Sequence, residues 1–91
     1  MQLLLVYDIP DDKIRTKVAD ICLDYALDRI QYSTFQGELN RVYQEELMEK
    51  VAYRLGQRPG KIQLFPICQK DWQARLEILQ EEKDEPTTTG E

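Results

Sequence analysis

Five consecutive apolar residues, Leu3 to Tyr7, stand near the start of the chain, and Asp8 ends the run. A run this short, followed at once by the turn-forming Ile9-Pro10-Asp11-Asp12, reads as a strand over residues 2 to 8. It shows no alternation of polar and apolar residues. Both faces of the strand are therefore expected to be covered, as in the centre of a sheet. The remaining elements must pack around it.

Helix patterning follows. Ile14, Val18, Ile21, Cys22 and Tyr25 recur at helical spacing, which predicts a helix over residues 12 to 26. Asp11 or Asp12 serves as its cap, with acids suited to the positive end of the helix dipole. Residues 29 to 39 are rich in strand formers. They read as two short strands, or as one strand broken between Ser33 and Gln36, with Gly37 a candidate bulge. Asn40 and Gly56 bound a second helix over 41 to 56, whose apolar stripe is Leu47, Met48, Val51, Ala52 and Leu55. Residues 61 to 68 predict a further strand, with Ile62 and Leu64 facing one way and Phe65 and Ile67 the other once a kink at Pro66 is allowed for. Pro66 places that strand at an edge or a bulge. Asp71 to Ala74 read as a short helical turn. Arg75 to Leu79 alternate, with Leu76 and Ile78 on one side, and predict a last short strand.

The order is strand, helix, strand pair, helix, strand, short strand. It predicts an α+β, ferredoxin-like βαββαβ sandwich: an antiparallel sheet with two helices on one face and an extra short C-terminal strand. Two helices cover one face only, while residues 3–7 and 62–67 offer apolar side chains to both. A second copy is the expected cover, giving a sheet-face homodimer, with Phe35, Phe65, Ile67, Leu76 and Ile78 as its packing residues. At 91 residues the chain is one domain and small enough for such association to matter. The folded body is expected over 1–79 and an acidic, disordered tail over 80–91.

Net charge is −5. Residues 80 to 91 carry −4 of it, so the body is near neutral, and the total does not argue against a nucleic-acid partner. No apolar run is long enough for a membrane span. Cys22 and Cys68 are too far apart for a metal motif and read as reduced core thiols of a cytoplasmic protein.

The candidate chemistry sits at Asp8. A carboxylate at a strand end, beside Tyr7 and the cations of the first helix, suits a divalent ion held next to a phosphodiester. The chain has no histidine, which excludes imidazole acid–base catalysis. Metal-activated water is then the economical nucleophile, with Mg²⁺ as the expected ion. One aspartate makes a poor site, whereas two Asp8 side chains meeting in a dimer make a credible one. The plainer alternative is a strand-end carboxylate that caps the following backbone. Arg15, Lys17 and Arg29 read as phosphate contacts or as solvated surface. Tyr7 reads as core or as a ring near the site, and Arg54, Arg58 and Lys61 as a second phosphate contact or a solvated turn.

Three segments carry a family resemblance: Val6 to Lys13 with Arg15 to Val18, the run Arg29 to Leu39, and Phe65-Pro66-Ile67-Cys68. Together they resemble the small CRISPR-associated Cas2 family across residues 1 to 79. The resemblance implies a ferredoxin-like homodimer that binds duplex DNA and bridges the Cas1 integrase during spacer acquisition. It also implies a possible Mg²⁺-dependent endoribonuclease or DNase, acting on single-stranded RNA or duplex DNA. It implies that Asp8 faces its twin across the dimer axis as a metal ligand, and that the final strand adds to the partner's sheet. A purely non-catalytic scaffold and a ferredoxin-like toxin ribonuclease of the virulence-associated D type are the alternatives.

Overall fold

The computed structural model describes residues 1–81. The elements run β1 (Gln2–Asp8), α1 (Asp12–Asp24), β2 (Asp28–Gln31), β3 (Thr34–Glu38), α2 (Arg41–Leu55), β4 (Lys61–Ile67) and the short α3 (Gln69–Gln73). The sheet order is β2-β3-β1-β4, and every pairing is antiparallel. The apolar first strand thus lies in the interior of the sheet, between β3 and β4. This is the ferredoxin-like arrangement that the order of elements predicts.

Local chemistry sets the helix ends. The Asp11 carboxylate accepts the Ile14 N–H at 3.0 Å and starts α1. The helix closes with the Ala26 N–H on the Leu23 carbonyl at 2.9 Å and the Leu27 N–H on the Cys22 carbonyl at 3.2 Å. That pair of bonds puts Ala26 in the left-handed region, φ 62°, where glycine is usual. Asn40 caps α2 through the Tyr43 N–H at 2.8 Å, and Gly56 ends it at φ 58°.

Leu3, Leu5 and Tyr7 point to the helices and are buried with Phe35, Val18, Cys22, Leu47 and Val51. Both helices therefore lie on one face. The register puts Gln2, Leu4, Val6 and Asp8 on the other face, opposite Ile67, Phe65, Gln63 and Lys61 of β4. There Leu4 and Val6 are only half-buried and Phe65 is exposed. Within one chain, then, β1 is covered on one side rather than two.

Several sequence expectations are corrected. Phe35 pairs with Leu5 and faces the helices, fully buried, so it belongs to the core and not to a sheet-face interface. The register shift falls between Arg29 and Gln31 of β2 rather than at Gly37. Gly37 is needed for another reason: a Cβ there would come within 2.6 Å of the Leu27 side chain. Cys68 is exposed and caps α3, while Cys22 is buried as expected. Ala52 is exposed, and the helix-two stripe gains the buried Gln44, whose amide donates to the Leu39 carbonyl at 2.9 Å. Residues 75–79 form no strand: they pair with neither open edge of the sheet, β2 or β4. Leu76 and Ile78 are 97% and 93% exposed. Pro66 does sit in an edge strand, since β4 pairs with β1 alone. Most of the acidic tail, from residue 82, lies outside the described residues.

Candidate functional site

Asp8 is the last residue of β1. Strand alternation turns its exposed side chain to the face that the helices leave open, opposite Lys61 in the register. The loop behind it is braced on the core side. Ile9 is buried beneath it, and Gly60 is what lets the chain pass: a Cβ at residue 60 would approach Ile9 to 3.2 Å and Leu55 to 3.0 Å. Asp11 takes an ion pair from Arg58 at 2.8 Å. The Ile14 N–H and that guanidinium hold its carboxyl below the usual range.

Arg15 and Arg29 converge on Tyr32. Their guanidinium carbons lie 5.5 and 5.8 Å from the Tyr32 ring centroid. Arg29 also lies 5.1 Å from the Phe35 centroid and donates to the Tyr7 hydroxyl at 3.4 Å. Tyr7 stacks on Phe35 at 6.3 Å and is 3% exposed, so it offers no ring to a base. Lys17 is not part of this cluster. It lines a separate indentation with Lys13, Ile14 and Arg54, between α1 and the end of α2. Arg54 and Arg58 border the neighbouring hollow with Lys13, so the helix face carries cations from both helices. The three expected phosphate contacts are thus divided between two sides of α1. Tyr32 was not singled out from sequence. Its exposure, with an arginine on either side, needs the β2–β3 turn to be folded back onto β1.

A divalent cation finds one open carboxylate here. Among the described residues no group of three or more carboxylate, cysteine or histidine side chains converges. Mg²⁺ is commonly held by one or two carboxylates together with water and phosphate oxygens. Asp8 has the chemistry of one such ligand, and it lies on the sheet face that the helices leave open.

A split βαβ sandwich with one strand-end carboxylate and two arginines stacked on a tyrosine defines a small α+β protein of the ferredoxin-like class. The model of the family described as CRISPR associated protein Cas2 matches residues 1–75, and the chain belongs to that family. It is 45% identical over 85 residues to a protein of Chloroflexus aurantiacus named CRISPR-associated endoribonuclease Cas2 2, covering 93% of this chain and 99% of that one. A protein of Thermoproteus tenax named as a fusion of CRISPR-associated endonuclease Cas1 and endonuclease Cas2 is 35% identical over 78 residues, 86% of this chain and 30% of its own length. The crystal structure of Streptococcus pyogenes Cas2 superposes with a TM-score of 0.74 at 25% identity, covering 88% of this chain and all of that one. Membership of this family removes the toxin-ribonuclease alternative.

Proposed function

We propose that this chain is a CRISPR adaptation protein. It acts as a homodimer that binds nucleic acid and bridges Cas1 during spacer acquisition, and it cleaves phosphodiesters through Asp8 with Mg²⁺. The observation that carries this reading is the placement of Asp8. It ends the central strand, on the open sheet face, in a chain whose relatives are named endoribonucleases and, in one case, a fusion with Cas1.

The open face suits a second copy. Leu4, Val6, Phe65 and Ile67 would gain cover there, and two Asp8 carboxylates would approach one another. A bound Mg²⁺ supplies an activated water and charge stabilisation at the phosphoryl group. Asp8 would hold that ion, and exposed Lys17, Arg29 and Arg54, on the helix side of the sheet, would take phosphates elsewhere along the polymer without reading bases. The chain offers no histidine, so proton transfer through imidazole has no part. With one open strand-end carboxylate per chain and no convergent group of three or more ligand side chains among the described residues, the scaffold-only version is the second reading.

The test is purified protein incubated with single-stranded RNA or duplex DNA, in Mg²⁺ or EDTA. Cleavage is expected only with Mg²⁺, and Asp8→Asn should abolish it while keeping duplex binding. If Asp8→Asn cleaves like the wild type, the catalytic half of the reading is wrong and the scaffold stands alone.

A further inference from the structure

We propose that Arg15 is a positioning residue: its guanidinium ties the loop after Asp8 to the turn between β2 and β3, and it is not a phosphate contact. The side chain is only 22% exposed. Each of its three nitrogens is engaged. Nη1 donates to the Ile9 carbonyl at 2.8 Å and, at 3.3 Å, to the Pro10 carbonyl. Nε donates to the Tyr32 hydroxyl at 3.1 Å, and Nη2 meets the Asp12 carboxylate. The Tyr32 ring lies beside the guanidinium. The turn that carries Tyr32 is itself seated on β1, because the Tyr7 N–H donates to the Ser33 carbonyl at 3.1 Å.

The two carbonyls that Arg15 holds belong to the residues that directly follow Asp8. They leave β1 without a sheet partner to fix them, since β1 pairing with β4 ends at Asp8 and with β3 at Val6. Arg15 supplies the missing bonds. Only a planar fork with several donors reaches two carbonyls, a hydroxyl and a carboxylate at once. A phosphate would have to displace those partners to reach it. Lys17, two residues along, is exposed and has no ion pair among the described residues.

The effect on cleavage rests on the Asp8 reading, but the effect on the loop does not. Arg15→Lys keeps the charge and loses the fork. Tyr32→Phe keeps the ring and loses the hydroxyl. In the full-length protein both should speed amide hydrogen exchange across residues 8–12, by about tenfold for the lysine variant as charge-assisted bonds are lost. Mg²⁺-dependent kcat should fall with KM unchanged. Arg15→Lys and Arg15→Gln should both keep the wild-type salt slope of duplex binding. A lysine variant with wild-type exchange at 8–12 overturns the proposal. So does a glutamine variant whose salt slope drops by about one per chain, the mark of a lost phosphate contact. If wild type and Asp8→Asn prove equally active or equally inert, the catalytic reading fails while exchange and salt slope still decide Arg15.

Discussion

Tyr7 and Phe35 show how much a single residue's meaning depends on which face it takes. Their rings stack at 6.3 Å inside the helix-facing core, with Phe35 paired to Leu5 across the ladder. Phe35→Ala should therefore cost about 3–5 kcal/mol of chain stability, as for a buried ring, measured by urea unfolding. An interface residue would instead change the dimer dissociation constant at near-constant chain stability. The cysteines divide in the same way. Burial pushes the Cys22 thiol up to about 12, while Cys68 is exposed. A maleimide at pH 8 should label Cys68 and spare Cys22 in the folded protein. The sign of the pH effect follows. The folded thiol keeps its proton above the unfolded value of 9.0, so stability is full below pH 9 and declines from there towards pH 12. Cys22→Ala should flatten that decline in thermal melts.

Among the elements, α1 carries an avoidable cost at its end. Its closing turn needs a left-handed residue, and Ala26 supplies it at φ 62° with a Cβ in the way. Ala26→Gly should raise stability by about 0.5–1 kcal/mol in chemical unfolding, the reverse of the usual effect of glycine. Helix starts and stops were legible because caps are local: Asn40 and Gly56 bound α2 as their side-chain chemistry requires. The region 29–39 was less legible. The register shift between Arg29 and Gln31 breaks the period-two pattern, and only pairing with β3 reveals where it falls. Pro66 lies in β4 without a kink, because an edge strand has one side on which a missing N–H costs no ladder bond.

At the scale of the whole molecule, one sheet face and one segment lack neighbours. Leu4, Val6, Phe65 and Ile67 line the face, and Leu76, Ile78 and Leu79 lie exposed beyond α3. On the proposed dimer, the last segment finds its edge on the second copy. Leu76→Asp combined with Ile78→Asp should leave the fold intact, since neither side chain packs within the chain. It should shift light-scattering mass at micromolar concentration from dimer to monomer. A monomeric wild type would remove the dimer from the reading. The near-neutral body also predicts duplex binding that weakens steeply with salt, carried by exposed cations rather than by net charge.

By itself, the sequence determined the type and order of the elements through β4, with one strand or two left open over 29–39, the bounds of the second helix at Asn40 and Gly56, the separation of Ile62 and Leu64 from Phe65 and Ile67, and Asp8 as the carboxylate at a strand end. Each is written in short-range periodicity or in the chemistry of one or two neighbouring residues. Tertiary structure alone decided what Phe35 faces, that Cys68 is outside, and that Tyr32 sits between the two arginines. Those facts depend on which strands pair and in what register. A shift of one residue in β2 moves every following side chain to the other face, and the sum of pairings across the sheet, not any local pattern, selects the register.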